Sequence, residues 1–278
     1  MILQSLKLVH FKNYESAEFR FEGRHISIAG KNGSGKTNLL DALHHLSFGR
    51  WAFHKQDSFQ IKHRESFYRL DAQLNEEDRK NRIELIYSLE DKKKLIWNGS
   101  KPDRLSDHVG RLPLVLILPD EPFQMNENSE WRRSFFDNCL SQTFPEYLHH
   151  LSEYKKALAR RNASLVYFHQ RQQVDFSLLE ALNHQLILHS AAIHEARKRF
   201  LPHLSAALLD AYGFISDSSE AVMLNRKTEL DELQMGEILS RNQRRDLEAQ
   251  RTTGGLHKDD YQFEMDGHLL RKVGSQGQ

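Results

Sequence analysis

Cysteine, proline and long apolar runs are scarce in this chain of 278 residues. Its one cysteine, Cys139, excludes an internal disulfide framework and is typical of a reducing compartment. No stretch approaches the ~18 uninterrupted apolar residues that span a bilayer, and no signal peptide is evident after Met1. With 39 basic and 38 acidic residues, the net charge of +1 argues against a polybasic tail protein, although it permits a local basic patch. These absences predict a cytoplasmic globular protein without a membrane segment.

The first third of the chain has the pattern of strands around one helix. Leucines at 39, 40, 43 and 46 repeat at helical spacing and predict a helix over 37–46. Turn-forming residues separate the runs at 67–74, 83–89 and 94–97, which predicts an antiparallel meander. The run at 112–118 is nearly all apolar and predicts a strand buried on both faces. The predicted strands cover residues 2–11, 25–29, 67–74, 83–89, 94–97 and 112–118.

From Ser129 onwards the apolar spacing becomes helical, and helices are expected around 131–140, 148–158, 179–193 and 228–249. Strand alternation returns at 261–265 before the hairpin signal Asp266-Gly267. The sequence therefore predicts an α/β fold with a mixed sheet, in which residues 1–128 and 250–278 form a core and 129–249 form an inserted all-helical domain.

A phosphate-loop pattern, Gly-x-x-x-x-Gly-Lys-Thr, follows the predicted strand at 25–29 and opens the predicted helix. Glycines let the backbone curl so that its N–H groups point at phosphate oxygens. Lys36 would place its ammonium between the phosphates, and Thr37 would offer its hydroxyl to Mg²⁺. The alternative interpretation is a glycine-rich turn that simply enters a helix. The candidate phosphate-binding residues are Gly30, Lys31, Asn32, Gly33, Ser34, Gly35, Lys36 and Thr37.

The loop alone specifies neither the nucleotide nor the reaction. The chain lacks the guanine-selective Asn-Lys-x-Asp motif, which disfavours a GTPase. A small nucleotide kinase remains possible, although it has no evident need for a long helical insertion.

Further segments make the chain resemble the RecF family of bacterial DNA replication and repair ATPases, which are related to SMC and ABC ATPases. Phe-Lys-Asn-Tyr at 11–14 is similar to the family's Phe-Arg-Asn-Tyr, and Gly-Leu-His-Lys-Asp-Asp at 255–260 is similar to its Gly-Pro-His-Arg-Asp-Asp. Ser-Gln-Gly-Gln at 275–278 resembles the ABC-type signature Ser-x-Gly-Gln. The other similar segments are 30–42, 118–121, 131–137 and 160–165.

The resemblance implies an ABC/SMC-type ATPase core that binds ATP and Mg²⁺ and forms a homodimer when ATP is bound. In related ATPases the signature binds the γ-phosphate held by the opposite protomer, a role that falls here to Ser275, Gly277 and Gln278. The resemblance also implies binding to single-stranded and junction duplex DNA, recombination mediator partners, recombinase loading, and work in DNA damage repair and the SOS response.

Family members continue past the signature with an apolar strand ending in Asp-Asp or Asp-Glu, which binds Mg²⁺. Asp120-Glu121 only superficially mimics that strand, because the family order places it in a different segment. We therefore expect this chain to be a C-terminally shortened copy. The intact family has weak DNA-dependent ATPase activity, and we do not expect this chain to hydrolyse ATP efficiently.

Basic residues on the helical insertion suggest a DNA contact, and a solvated helix face explains them equally well. The residues concerned are Lys155, Lys156, Arg160 and Arg161, with Arg171 nearby. Two other functions remain open: an SMC-like ATPase of another process, such as phage defence, and a non-catalytic scaffold whose helices bind proteins. Histidines 149, 150, 184 and 189 lack the carboxylate or cysteine that would complete a metal site.

Overall fold

A computed structural model of the protein describes residues 1–52, 56–77, 79–119, 121–216 and 222–273. The chain divides into two compact units, Met1–Leu116 (unit 1) and Ile117–Gln278 (unit 2), and each is described by itself.

Unit 1 is an antiparallel sheet with one α-helix packed on it. The strands lie in the order β2-β1-β3-β4-β5, and each pairs antiparallel with its neighbours. The elements are β1 (Ile2–Phe11), β2 (Tyr14–Arg20), α1 (Lys36–Phe48), β3 (Phe67–Glu76), β4 (Arg79–Ser88) and β5 (Lys92–Trp97).

The core of unit 1 follows directly from the spacing of its apolar residues. Strand side chains alternate between faces, so Leu6 and Leu8 of β1 point to the same side, and both are fully buried. Leu39, Ala42 and Leu46 lie three and four residues apart on α1 and join the same apolar cluster. The helix therefore covers one face of the sheet, and its first residue, Lys36, comes directly after the glycine-rich loop.

Unit 2 is mainly helical and carries a small antiparallel sheet with the order β6-β7-β8. Asn128 caps α3, because its side chain accepts hydrogen bonds from the amides of Glu130 and Trp131. The elements are α2 (Glu121–Glu127), α3 (Ser129–Thr143), α4 (Tyr147–Arg171), α5 (Phe176–Ser216), β6 (Val222–Lys227), α6 (Met235–Ala249), β7 (Asp260–Met265), β8 (His268–Leu269) and α7 (Leu270–Val273).

The core of unit 2 combines apolar clusters with buried charges. The main cluster joins residues of α3, α4, α5 and α6 to Leu256, which follows α6. Buried among these elements, Arg197 of α5 donates to the carboxylates of Asp137 at 2.9 Å and Asp259 at 2.8 Å. Residues far apart in sequence are therefore joined by ion pairs inside the unit.

Most of the predicted elements are confirmed, including the opening strand, α1, the meander β3-β4-β5, the long helices and the strand at 261–265. The helix expected from Thr228 begins later, because Thr228 caps a short 3-10 turn over Glu229–Asp231 and α6 starts at Met235. The α/β class with an antiparallel meander and a helical region is the fold that the structure has.

Three predictions of local structure are wrong. Residues 25–29 and 112–118 have no regular secondary structure, and Ile26, Val115 and Ile117 are 48%, 62% and 74% exposed rather than buried. An apolar run becomes a strand only when a neighbour pairs with its backbone, which its own sequence does not ensure. Conversely, β6 lies inside the range 129–249 that was predicted to be all helical.

Strand β6 forms because it pairs with β7 over six residues, from Val222 opposite Met265 to Lys227 opposite Asp260. Residues 250–273, which the sequence assigns to the core domain, pack within unit 2. The assignment of 1–128 with 250–278 to one domain, and of 129–249 to another, stays a prediction. In the described part of the chain, no helix has the length and apolar character needed to cross a bilayer.

Candidate phosphate-binding site

The loop between residues 30 and 36 curls back on itself at two glycines. Gly33 and Gly35 have φ values of +79° and +105°, a region that side chains with a Cβ rarely adopt. A turn closes inside the loop, where the amide of Ser34 donates to the carbonyl oxygen of Lys31 at 3.2 Å. Residues 30–34 are exposed, so the concave side of this loop is open to a ligand.

Lys36 reaches back across the loop. Its Nζ donates to the carbonyl oxygens of Gly30 at 2.7 Å and Lys31 at 2.9 Å. These two bonds hold a positive charge at the mouth of the curl. An incoming anion would exchange such carbonyl contacts for stronger, charge-assisted bonds to the same ammonium.

The first turn of α1 adds backbone donors to this charge. The amides of Lys36, Thr37 and Asn38 stand in the first turn, where helix geometry provides no intrahelical acceptor. The helix dipole also favours negative charge at this end. Thr37 is exposed beside these amides, so its hydroxyl is available to a ligand.

Two side chains from the turn between β1 and β2 support the loop. Asn13 donates from Nδ2 to the carbonyl oxygen of Ser34 at 3.1 Å, and the Tyr14 hydroxyl donates to that of Gly35 at 3.1 Å. Asn38 in turn donates to Asn13 Oδ1 at 2.8 Å. Binding these carbonyls from outside leaves the loop amides free to face the concave side.

Space at Gly35 is limited by the same contact. A Cβ at this position would lie 2.6 Å from the hydroxyl oxygen of Tyr14 and 2.8 Å from Nδ2 of Asn13. Burial raises the pKa of Tyr14, so its phenol keeps the proton that it donates. The glycine is therefore required both by its φ and by the close approach of Tyr14.

An ion pair joins the start of the β1–β2 turn to the middle of α1. Lys12 Nζ lies 2.8 Å from Asp41 Oδ2, and the other oxygen of this fully buried carboxylate accepts the amide of Ala52 at 3.0 Å. The helix that carries Lys36 and Thr37 is thus fixed to the strand pair that carries Asn13 and Tyr14.

The residues present fit a polyphosphate with its metal ion. A curled loop with positive-φ glycines, an ammonium at its mouth and a helix N-terminus match the donor set that phosphate oxygens need. A bound Mg²⁺ would neutralise phosphate charge, and the exposed hydroxyl of Thr37, at the C-terminal end of the loop, would supply one oxygen ligand.

The other predicted site residues have different fates. Ser275, Gly277, Gln278 and Asp120 lie outside the described residues. Three of the predicted DNA-contacting residues, Lys155, Lys156 and Arg160, are exposed on α4.

Arg161, in contrast, cannot belong to a DNA-binding surface, because its side chain is fully buried. It donates to Asp246 Oδ2, to the Thr252 hydroxyl and to Asn183 Oδ1, each at 2.7 Å. This correction has a simple cause, since the period of α4 puts Arg161 on the same buried face as Ala157 and Leu165.

Sequence reasoning missed the supporting role of Asn13 and Tyr14. Both stand in the Phe-Lys-Asn-Tyr segment that was singled out for its resemblance, without a function attached to it. Their partners are 21 residues away, so only the folded chain brings them together.

Comparison with known proteins identifies the family of this chain. The chain matches the family described as AAA domain over residues 5–250. It is 39% identical over 278 residues to the DNA replication and repair protein RecF of Flavobacterium johnsoniae, covering 100% of this chain and 77% of that protein. The chain belongs to the RecF family.

Other RecF proteins also align with this chain over its whole length. The RecF protein of Parabacteroides distasonis is 34% identical, over 100% of this chain and 75% of its own length. The structure of the recombination mediator protein RecF-ATPrS in the RecFOR pathway superposes on this chain with a TM-score of 0.91 and a sequence identity of 24%. The superposition covers 99% of this chain and 76% of that one. The corresponding RecF-ATP structure has a TM-score of 0.86. These likenesses establish a RecF fold for this chain.

Proposed function

We propose that the loop at 30–37 binds ATP together with Mg²⁺, and that the chain acts in DNA replication and recombinational repair as its RecF relatives do. One observation carries the proposal: the ammonium of Lys36 is held at the mouth of a curled glycine loop, directly at the N-terminus of α1. ATP as the nucleotide is supported by the related RecF-ATP structure.

Each part of the loop then has a distinct task. The backbone amides of residues 33–37 bind the β- and γ-phosphate oxygens, and Lys36 neutralises their charge. Thr37 offers its hydroxyl to the metal ion. Asn13 and Tyr14 keep the carbonyls of Ser34 and Gly35 turned away, so that the amides need no rearrangement when phosphate arrives.

DNA binding by this chain is supported by exposed cations on α4. Lys155, Lys156 and Arg160 would neutralise phosphates of single-stranded or junction duplex DNA without reading its sequence. Two of these cations also form ion pairs within the chain, since Lys156 lies 2.7 Å from Glu153 and Lys155 lies 3.5 Å from Asp137. An affinity for single-stranded DNA that does not fall with rising salt would contradict this surface.

The proposed mechanism couples nucleotide to dimerisation. Ser275 and Gly277, with Gln278, would bind the γ-phosphate of ATP held by a second copy, so that ATP joins two chains on DNA. Such a dimer would assist recombination mediator proteins in loading recombinase. Sedimentation of the protein with and without MgATP tests this step, and a sedimentation coefficient unchanged by nucleotide would contradict it.

The nucleotide site is tested with Lys36→Ala. Removing a charge-assisted contact costs about 2 kcal/mol, so ATP affinity should fall about 30-fold. Titration of a fluorescent ATP analogue, with circular dichroism to verify folding, measures the change. Lys101→Ala is the matched control, because it removes an equal charge from an exposed position outside the loop. Equal ATP affinity in the two variants would refute the assignment of the site.

A further inference from the structure

A cavity of about 370 Å³ lies within unit 2, between α3, α4, α5 and the segment that follows α6. Two segments that marked the family resemblance meet there, 131–137 and 255–260, and the phosphate loop uses neither of them. Arg133 and Asp137 come from the first segment, and Leu256 and His257 from the second. The cavity therefore gathers residues that the nucleotide site leaves unexplained.

Four apolar side chains, Leu151, Leu158, Ile193 and Leu256, line the cavity, and we call them its apolar floor. Ile193 and Leu256 are 0% and 1% exposed, so the surface offered to a ligand comes mainly from Leu151, which is 7% exposed, and from the partly buried Leu158. Side chains of this kind bind an apolar group and offer nothing to a polar one.

Arg133, in the wall of the cavity, differs from the three most buried arginines of this unit. Arg132, Arg161 and Arg197 each form an ion pair with a carboxylate. Arg133 donates from Nη1 to the carbonyl oxygen of Asp259 at 2.8 Å, and within the described residues it has no ion pair. Burial lowers the pKa of Arg133, and the charges of Asp260, Glu130 and Asp137, none of which forms an ion pair with it, only partly offset that loss of water.

The rest of the lining sets the charge that a ligand meets. Lys155 is 60% exposed and reaches over the opening towards Asp137, while Glu130 contributes a negative charge. His257 stays neutral, because burial lowers its pKa to about 4. Its Nδ1 lies 3.1 Å from the hydroxyl oxygen of Tyr154, so the ring is already engaged. With Arg197, which also lines the cavity, the lining carries three cations and two carboxylates, a net charge of +1. A single carboxylate balances this charge, whereas a doubly charged phosphate would exceed it.

We propose that this cavity binds a peptide segment of a partner protein in which a carboxylate stands next to a large apolar side chain. The apolar side chain occupies the floor formed by Leu151, Leu158, Ile193 and Leu256. The carboxylate pairs with the planar guanidinium of Arg133, which has free N–H donors and a fork that matches two carboxylate oxygens. Lys155 adds a second, weaker attraction at the opening.

The test measures binding of the blocked peptide acetyl-Asp-Leu-Phe-amide, which carries one carboxylate, to the full chain by isothermal titration calorimetry. The charge-reversed peptide acetyl-Lys-Leu-Phe-amide should bind at least ten times more weakly. Inorganic phosphate, added alone, should not displace the acidic peptide. Displacement by phosphate at equal concentration, or equal binding of the two peptides, would overturn the proposal.

Variants locate the binding within the cavity. Arg133→Gln should lower the affinity for the acidic peptide at least tenfold, and Lys155→Gln should lower it about two- to threefold. Lys156→Gln is the matched control, because Lys156 is 58% exposed on the same helix and does not line the cavity. It should leave peptide affinity unchanged.

Arg133 also holds the Asp259 carbonyl, so a second variant that keeps this contact is needed. Leu158→Gln places a polar group in the apolar floor at a partly buried position. The affinity for the acidic peptide should fall at least fivefold, and an unchanged ATP affinity would show that the variant is folded. If neither Arg133→Gln nor Leu158→Gln changes peptide affinity, or if the chain shows no measurable binding of the acidic peptide, the proposal is wrong.

Discussion

The two units of the chain place their charged groups differently. In unit 1 the core around β1, β3, β4 and α1 is mainly apolar and aromatic, with one buried carboxylate, Asp41, paired to Lys12, and the ammonium of Lys36 lies at an open loop. In unit 2 whole arginine side chains lie inside, where Arg161 and Arg197 are almost fully buried against carboxylates. Unit 1 therefore keeps a loop cation accessible, whereas unit 2 buries cations to join segments that are distant in sequence.

The difference teaches how far a basic residue can be interpreted from its position alone. Lys36 and Arg161 both stand in segments that resemble family motifs, yet one faces a ligand site and the other is an internal tie. Burying a charge is costly unless it is paired, so the carboxylate partners decide which role an arginine takes.

The largest effect is expected when the buried network of unit 2 is broken at its centre. Arg197→Met leaves Asp259 buried without its cation and Asp137 with only the exposed Lys155 at 3.5 Å, which should cost about 3–5 kcal/mol of unfolding free energy. Urea denaturation measures the loss, and hydrogen exchange should place it in unit 2. The neighbouring Lys198→Met is the control, because Lys198 is exposed and should change stability by less than about 0.5 kcal/mol. A loss below 1 kcal/mol for Arg197→Met would mean that the ion pairs are not what holds the unit together.

A medium effect is expected from pH. Burial lowers the pKa of His257 to about 4, whereas in the unfolded chain it titrates at its ordinary value near 6.5. The unfolded state therefore binds the extra proton between these values. The contribution of His257 is fully present above pH 6.5 and is lost as the pH falls towards 4, by about 2 kcal/mol at pH 5.

Comparison of wild type with His257→Gln isolates this contribution. The variant should show a smaller fall in unfolding free energy between pH 7 and pH 5, as measured by urea denaturation at each pH. Burial also lowers the pKa values of His44, His45 and His108 in unit 1 and of His189 and His194 in unit 2, so both proteins should retain some acid sensitivity. Identical pH dependence in wild type and variant would show that His257 is not held neutral.

The smallest effect is expected at the support of the phosphate loop. Tyr14→Phe removes one hydrogen bond to the carbonyl oxygen of Gly35, worth about 1 kcal/mol. The affinity for ATP should therefore fall about fivefold. The unfolding free energy should fall by no more than the same amount. Phe19→Tyr, which changes the ring packed edge-on against Tyr14 and leaves this hydrogen bond intact, serves as the control. If ATP affinity is unchanged in Tyr14→Phe, the loop keeps its shape without this contact.

Local patterns predicted much of the fold because the forces behind them are local. The meander from β3 to β5 has its turns between adjacent strands, and α1 follows its own leucine spacing. The strands expected at 25–29 and 112–118 were wrong, since strand formation depends on a neighbour as well as on composition. Strand β6 was missed for the same reason, because its partner β7 begins 33 residues after β6 ends.

The curl of the phosphate loop follows from local sequence, because the positive φ values of its glycines and the helix start at Lys36 involve neighbouring residues, whereas its support by Asn13 and Tyr14 does not. Tertiary structure decided the rest. It buried Arg161 against Asp246, which lies 85 residues away in sequence. It also placed Arg133 at a cavity, where it has no ion pair within the described residues. Whether a cation forms an internal ion pair or remains available to a ligand depends on the groups packed around it. Those groups come from distant parts of the chain.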